Sequence, residues 1–256
     1  MMDLSRTEAL LGEEALARLS AARVAVIGVG GVGSWCAEAL VRTGVGRLTL
    51  VDDDIVVPSN VNRQCPATAK TLGRLKVEAL RERLLDINPE GAVVAVNGRY
   101  PSATPDLRLS DFDLIVDAID SVDCKAELIL SVTAAGVPLL SSMGAARRLD
   151  PTKVVIRRFE KITGDGLARA LRQRFKRLGR FPSTRFDCAV STEPAQPVRA
   201  PSVGPVPAKP ESVVPKGSMM PVTCAFGMAL AAEAIRKLTQ PCVASLPAIF
   251  GRLHGS

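Results

Sequence analysis

Glycines that follow a strand-like run offer a binding place for phosphate groups. Residues 28–35 read G-V-G-G-V-G-S-W and come directly after the apolar run Arg23–Ile27. This loop contains four glycines, which include the spacing G-x-G-x-x-G: Gly28, Gly30, Gly31 and Gly33. Glycines let the backbone N–H groups approach phosphate oxygens, and an acid about 20 residues later, here Asp52, accepts hydrogen bonds from ribose hydroxyls. The pattern predicts a nucleotide site but does not distinguish a dinucleotide from ATP.

Polar side chains downstream of this loop favour ATP. After Asp52 the chain reads S-N-V-N-R-Q at 59–64, and Lys76 follows in G-R-L-K. A dinucleotide needs no cations here, whereas a third phosphate with its magnesium ion needs additional neutralising donors. Arg63 and Lys76 are candidate cationic donors, and Ser59 and Asn60 are candidate neutral ones. A second pair of acids ends another strand in V-D-A-I-D-S, where Asp120 is a candidate magnesium ligand.

The elements that position these residues alternate in the first half of the chain. Strand-like runs fall at 24–28, 47–51, 93–96, 114–116 and 137–140, and helical stretches at 33–43, 69–87 and 122–135. Such alternation predicts βαβ units. We therefore expect an α/β protein with a Rossmann-like, doubly wound, mostly parallel sheet, whose ligands lie at the carboxyl ends of the strands.

The second half is less regular and predicts an irregular C-terminal extension. A strand at 153–158 precedes a basic helix near 166–178, and an Ala-rich helix is expected at 222–238. Between them, residues 194–217 hold seven prolines and no aromatic residue, a composition that predicts a mobile loop. We expect a single domain over 1–256, with a nucleotide-binding core at 1–150 and a substrate-facing extension at 151–256.

Composition limits the class of protein. The 256 residues are 47% hydrophobic and 23% charged, which is typical of a globular chain. No apolar run reaches the roughly 18 residues of a membrane span, and no secretory signal is visible, so we expect a soluble cytoplasmic protein. The six cysteines form no C-x-x-C pair and there is one histidine, which argues against a zinc site of the usual spacing.

Positive charge is concentrated in one segment. The net charge is +7, and between 157 and 185 ten Lys or Arg residues accompany two acids. Such a patch favours a polyanionic partner, although a solvated helix face would have the same composition.

Together these motifs resemble the superfamily of ubiquitin-like activating enzymes, whose small bacterial members are adenylyltransferases of molybdopterin and thiazole biosynthesis. The resemblance covers residues 5–145 in order and includes the glycine loop, D-x-D at 52–54, S-N-x-N-R-Q, G-x-x-K and D-A-x-D. It implies that ATP–Mg²⁺ is bound and that a substrate carboxylate attacks the α-phosphate. The nucleotide-binding residues that it implies, beyond the four glycines, are Asp52, Asp54, Ser59, Asn60, Arg63, Lys76 and the magnesium ligand Asp120. It also implies a homodimer, in which Arg6 reaches the phosphates of the neighbouring subunit.

Within that superfamily the chain is similar to the branch that dehydrates N6-threonylcarbamoyladenosine in tRNA. Stretches that carry this likeness are S-S-M-G-A at 141–145, D-P-T at 150–152 and D-C-A-V-S-T-E-P at 187–194. The likeness implies ATP-dependent activation of the threonyl carboxylate and intramolecular ring closure, with a cysteine desulfurase system as a further partner. The basic segment then becomes the tRNA surface, with these candidate contacts: Arg169, Arg172, Arg174, Lys176, Arg177, Arg180 and Cys188.

Several alternatives remain open from the sequence. The same fold could activate the C-terminal carboxylate of a sulfur-carrier protein, although the paired C-x-x-C motifs usual there are missing. A dinucleotide-binding redox or sensor domain would use the same loop without Arg63 or Lys76. A non-catalytic tRNA-binding scaffold would not need the set of ATP residues. Cys188 could accept an acyl group, but intramolecular cyclisation favours its being a small residue of the substrate loop.

Overall fold

A computed structural model describes residues 2–102, 104, 107–197 and 217–240. Its centre is a seven-stranded sheet in the order β3-β2-β1-β4-β5-β7-β6. The strands are β1 Arg23–Ile27, β2 Arg47–Asp52, β3 Ala92–Asn97, β4 Leu114–Asp117, β5 Leu139–Ser142, β6 Val154–Arg158 and β7 Asp187–Ser191. All neighbouring strands are parallel except β6, which runs antiparallel to β7. The expected Rossmann-like, doubly wound, mostly parallel sheet is confirmed.

Helices cover both faces of the sheet, and each described α-helix except the first buries apolar side chains. The helices are α1 Ser5–Leu11, α2 Glu13–Ala21, α3 Gly33–Arg42, α4 Lys76–Ile87, α5 Val122–Ala134, α6 Gly166–Leu178 and α7 Met220–Thr239. One core contains residues of α3, α4 and α7, and the other contains residues of α5 and α6. Alternate residues of β1 point into different cores, Val24 and Val26 into the first and Ala25 and Ile27 into the second.

The strand order creates a crevice at the carboxyl ends of β1 and β4. From β1 the chain winds outward through β2 to β3, and then returns to place β4 on the other side of β1. The connections that follow β1 and β4 therefore run in opposite directions. They leave a crevice between them, which is the usual ligand-binding position in doubly wound sheets. Both motifs that the sequence singled out, the glycine loop and the loop that carries Asp120, follow these two strands.

The structure differs from the sequence expectations in three places. The helix expected at 69–87 begins only at Lys76, because the preceding residues form turns in which Gly73 has a φ of 80°. Two N-terminal helices, α1 and α2, were not expected. Strand β7 was not expected either, since its five residues, including two polar ones, are all buried and show no alternation. The expected strand at 153–158, which is β6, joins β7 in the same sheet as β1–β5.

The remaining expectation concerns the Pro-rich stretch 194–217, of which residues 198–216 lie outside the described part of the chain. Its two described ends meet at Arg147. The N–H group of Gln196 donates to the carbonyl of Arg147 at 2.8 Å, and the N–H group of Arg147 donates to the carbonyl of Gly217 at 2.8 Å.

Among the described helices, none is long and apolar enough to cross a membrane.

Candidate nucleotide and substrate site

The glycine loop turns sharply between β1 and α3, and two of its glycines have no room for a side chain. Gly28 has a φ of 90°, and a Cβ there would lie 2.8 Å from the carbonyl oxygen of Ala118. A Cβ on Gly33 would lie 1.9 Å from the carbonyl oxygen of Gly28. Only glycine allows this contact between the loop and the segment that follows β4. The last glycine of the loop, Gly33, is also the first residue of α3. The N-terminus of a helix has backbone N–H groups that can bind an anion.

Asp52 ends β2 beside this loop and is already oriented by the backbone. Its Oδ2 accepts a hydrogen bond from the N–H of Val29 at 2.8 Å, and its Oδ1 accepts one from the N–H of Asp54 at 2.9 Å. Burial raises the pKa of this carboxyl and outweighs the opposing effect of nearby Lys76. Each oxygen still has a lone pair for a hydroxyl donor, so the arrangement suits the ribose role that the sequence predicted.

Lys76 begins α4 with a buried side chain. Its Nζ lies 2.7 Å from Oδ2 of Asp54, and its backbone N–H donates to the carbonyl of Asp54 at 3.0 Å. An ammonium group has three donors, so two remain for a ligand after the contact with Asp54. The structure thus gives Asp54, predicted as a nucleotide ligand, a direct contact with Lys76 that fixes the position of the ammonium group.

Arg63 lies over the glycine loop. Its Cγ is 3.4 Å from where a Cβ of Gly31 would be, and its Nη1 donates to the carbonyl of Ser59 at 2.7 Å and to Oδ1 of Asn62 at 2.9 Å. The indole N–H of Trp35 donates to the carbonyl of Arg63 at 2.9 Å. These contacts hold both the backbone and the guanidinium of Arg63 beside the loop. The hydrogen bond from Trp35 to Arg63 was not predicted from the sequence.

Ser59 and Asn60 belong to the short turn Pro58–Asn60 that precedes Arg63. Ser59 is exposed, whereas Asn60 is buried and its Oδ1 accepts a hydrogen bond from the N–H of Val57 at 3.1 Å. Nδ2 of Asn60 has no hydrogen-bond partner within the described ranges. Asn60 therefore shapes the turn through its oxygen and has an amide nitrogen available for a ligand.

Asp120 follows β4 on the other side of the crevice, at the end of a tightly held turn. The carboxylate of Asp117 accepts hydrogen bonds from the hydroxyl of Ser141 at 2.7 Å and from the N–H of Ile119 at 3.1 Å. Nζ of Lys125 lies 2.9 Å from Asp117 Oδ2 and donates to the carbonyl of Ile119 at 3.0 Å. Asp117, Lys125 and Ser141 were not among the predicted site residues. The sequence feature that could have indicated them is a lysine, Lys125, on the apolar face of α5.

Two acidic groups could hold a cation, and their surroundings differ. Carboxylate oxygens of Asp52, Asp53 and Asp54 lie within 4.8 Å of one another, the one such cluster in the described part of the chain. Asp54 is paired with Lys76, and Asp53 is paired with Arg99 at 2.9 Å, so this cluster is largely neutralised. Asp120 is exposed and has no ion-pair partner among the described residues. Its free carboxylate fits magnesium, which is commonly bound by one or two carboxylates together with phosphates and water.

Arg6 lies far from the crevice within one chain. It is exposed on α1, which has no buried residues, and Leu10 of the same helix is 82% exposed. The neighbouring Leu4 contacts Gly44, which leads into the amino end of β2. Because the glycine loop lies at the opposite, carboxyl edge, Arg6 and Arg63 are not brought together in one subunit.

The cations predicted to contact tRNA lie on α6, except Arg180 just after it, and they divide into side chains with protein partners and exposed ones. Arg172 lies 5.0 Å from the centroid of the Phe159 ring and donates to the carbonyls of Phe159 and Ile162. Arg174 pairs with Asp123 at 2.9 Å, and Arg180 pairs with Glu127 at 3.2 Å. The remaining three are exposed and lack ion-pair partners within the described ranges: Arg169, Lys176 and Arg177. They share one side of the helix, since they are spaced i, i+7 and i+8.

Cys188 does not lie in the substrate loop where the sequence placed it. It is fully buried inside β7, where it pairs in register with Ser141 of β5 and Arg157 of β6. Burial raises the pKa of its thiol well above the ordinary value, so the neutral form dominates at pH 7. The placement favours the structural role of this residue over an acyl-accepting one.

Comparison with known proteins adds independent information. The ThiF family matches residues 4–254. The tRNA threonylcarbamoyladenosine dehydratase of Bacillus subtilis is 42% identical over 177 residues, which cover 68% of this chain and 69% of that protein. The Escherichia coli dehydratase is 37% identical over 247 residues, 91% of each chain. Its solved complexes with AMP and with ATP superimpose with TM-scores of 0.78 and 0.76 at 35% identity, covering 92% of this chain and 93% of theirs. By its sequence match and its fold, the chain belongs to the ThiF family.

Proposed function

We propose that this protein is an ATP-dependent tRNA threonylcarbamoyladenosine dehydratase. The observation that supports the proposal is the contact of the glycine loop with Asp52, Arg63 and Ala118. The chain is also 37% identical to an Escherichia coli enzyme of that name over 91% of both lengths. That enzyme has been solved with ATP and with AMP bound, as expected of a protein that transfers an adenylyl group. The molybdopterin-synthase adenylyltransferases of Escherichia coli and Salmonella typhimurium match only 54% of this chain, which makes the sulfur-carrier alternative the more distant one.

The first step is activation of the threonyl carboxylate. A carboxylate oxygen attacks the α-phosphorus of ATP, the bond to the β-phosphate bridging oxygen breaks, and pyrophosphate leaves. Arg63, Lys76 and the amide nitrogen of Asn60 contribute donors for the negative charge that develops on the phosphates, while Asp52 holds the ribose. We assign magnesium to Asp120, where the ion would neutralise phosphate oxygens and orient the leaving group.

The second step is ring closure. A carbamoyl nitrogen or oxygen of the same nucleoside attacks the activated carbonyl, AMP leaves, and the net change is loss of one water whose oxygen ends in AMP. The nucleophile is tethered to the electrophile, so the reaction gains from its high effective concentration. This route needs no enzyme nucleophile, in agreement with the buried, neutral thiol of Cys188.

Two assembly features belong to the proposal. A tRNA would contact the exposed side of α6 through Arg169, Lys176 and Arg177, because phosphate binding requires available cations. A homodimer would bring Arg6 of one subunit to the phosphates of the other, since Arg6 lies away from the crevice of its own chain. A cytoplasmic location suits tRNA modification, and a cysteine desulfurase partner remains a prediction from the resemblance.

Isotope exchange between pyrophosphate and ATP tests the substrate assignment. The purified protein is incubated with labelled pyrophosphate and one of three candidates: tRNA that carries threonylcarbamoyladenosine, the same tRNA without the modification, or a sulfur-carrier protein. We expect exchange only with the modified tRNA. Exchange that requires the carrier protein instead would replace the proposed function with the sulfur-carrier alternative.

A further inference from the structure

A buried ion pair beneath the crevice has no direct role in the proposed chemistry. The side chains of Asp117, at the end of β4, and Lys125, in the first turns of α5, are both fully buried, and their charged atoms are 2.9 Å apart. Burying two charges is unfavourable unless they are paired and their remaining hydrogen-bonding positions are filled. Here those positions are filled mainly by the backbone between the two residues, which points to a function in shaping that backbone.

The pair holds the turn that carries Asp120 from two sides. Nζ of Lys125 binds the carbonyl oxygen of Ile119 at 3.0 Å, and Oδ1 of Asp117 binds the N–H of Ile119 at 3.1 Å. The backbone N–H and the carbonyl of Ile119, the residue directly before Asp120, are thus both held by this pair. Ser141 of the adjacent strand β5 donates to the other oxygen of Asp117 at 2.7 Å, which connects the turn to the rigid centre of the sheet.

We propose that Asp117 and Lys125 are positioning residues that set the carboxylate of Asp120 for the magnesium ion of bound ATP. This inference rests on the proposed function only through the assignment of magnesium to Asp120. The exposed side chain of Asp120 has no ion-pair partner among the described residues, so its direction depends on the backbone that the buried pair fixes. Groups that orient a metal ligand affect metal binding although they do not touch the ion.

The test separates positioning from general stability. ATP binding is measured by calorimetry with and without magnesium for the wild type, for Lys125→Met, and for the double variant Asp117→Asn with Lys125→Met. The double variant removes both charges and avoids an unpaired buried carboxylate. Lys237→Met is the matched control, because it removes a cationic partner of the buried carboxylate of Asp187, which begins β7 at the amino edge of the sheet, opposite the crevice. Thermal unfolding of each variant reports its stability.

We expect the double variant to bind ATP in the absence of magnesium as the wild type does, and to bind Mg–ATP about 10- to 100-fold more weakly. Lys237→Met should lose stability without changing the effect of magnesium. A folded double variant with an unchanged magnesium effect, or with equal losses in both conditions, would overturn the inference. If the double variant does not fold, Ser141→Ala decides: it keeps both charges, and an unchanged magnesium effect there would also overturn the inference.

These measurements use ATP and magnesium and need no tRNA. A wild type that binds Mg–ATP but leaves tRNA unchanged would refute the proposed substrate and leave the inference on Asp117 and Lys125 in place. Retained magnesium dependence in Asp120→Ala would instead refute the metal assignment on which the inference rests.

Discussion

At the scale of single residues, the candidate site consists of side chains that neighbours already hold in place. Lys76 is fixed by Asp54, Asp52 by two backbone N–H groups, and Arg63 by Ser59 and Trp35. Such preorganisation is the means by which fixed donors stabilise developing charge without reorganising during the reaction.

Replacing Arg63 by alanine should remove one donor for the phosphates. Loss of one preorganised donor costs roughly 2.7–4 kcal/mol of transition-state stabilisation, about 100- to 1,000-fold in rate. We therefore expect pyrophosphate exchange to fall by that factor while thermal unfolding changes little. Arg23→Ala is the control, because this arginine pairs with Asp113 at the amino end of the sheet. A rate near that of the wild type in Arg63→Ala would remove Arg63 from the site.

At the scale of elements, α3 is tied to α4 and to the loop before α4 by one buried carboxylate. Glu38 binds Arg83 at 2.7 Å and Arg42 at 2.8 Å, and the thiol of Cys65 donates to it at 2.8 Å. Burial alone would raise the pKa of Glu38, but these hydrogen bonds outweigh it and lower the pKa to about 2. The carboxylate form is therefore the one that stabilises the contact between the two helices.

This shift predicts an acid-sensitive contribution to stability. A carboxyl whose pKa is lower in the folded state stabilises the protein above its ordinary value of 4.5, and this contribution disappears as the pH falls toward about 2. We expect Glu38→Gln to be less stable than the wild type at pH 7 and to differ progressively less below about pH 4.5. Urea unfolding across this range, with exposed Glu90→Gln as control, measures it. A constant difference between Glu38→Gln and wild type would contradict the lowered pKa.

The elements also show how far the sequence was sufficient. The sheet and the crevice were predicted from the glycine loop, from the alternation of strands and helices, and from the acids at or just after two strand ends, Asp52 and Asp120. These features are encoded locally. Strand β7 depends on its pairing with the distant strand β5, and the Asp117–Lys125 pair depends on how the turn between β4 and α5 packs; periodicity reports neither. The sequence likewise could not distinguish the exposed cations of α6 from Arg172, Arg174 and Arg180. Only the structure shows that the latter three have protein partners.

At the scale of the whole molecule, α6 presents its available cations on a surface distinct from the nucleotide loop. A triple variant of Arg169, Lys176 and Arg177 to alanine should weaken tRNA binding and reduce its salt dependence by about one unit of slope for each lost phosphate contact. ATP affinity should not change. The charge-matched control replaces Arg23, Arg47 and Arg108, three exposed arginines outside α6. Equal tRNA binding by the two triple variants would show that the α6 cations are ordinary solvated side chains and not tRNA contacts.

The proposed dimer makes a prediction for mixtures of inactive variants. If Arg6 acts on the other subunit, mixed dimers of Arg6→Ala and Arg63→Ala contain one intact site and one site with both substitutions. Half of the dimers in an equilibrated equal mixture are mixed, so about one quarter of wild-type activity should return. No recovery, or a monomer by analytical ultracentrifugation under assay conditions, would remove Arg6 from the site.

The central claim is the ATP-dependent dehydration of threonylcarbamoyladenosine in tRNA, and mass spectrometry of the digested nucleosides measures it directly. The protein is incubated with ATP, magnesium and tRNA that carries this nucleoside. We predict that the nucleoside loses the mass of one water, and that it does so only when ATP is present. An unchanged nucleoside after incubation with a protein that still binds ATP would contradict the account, and would assign the activated carboxylate to another substrate.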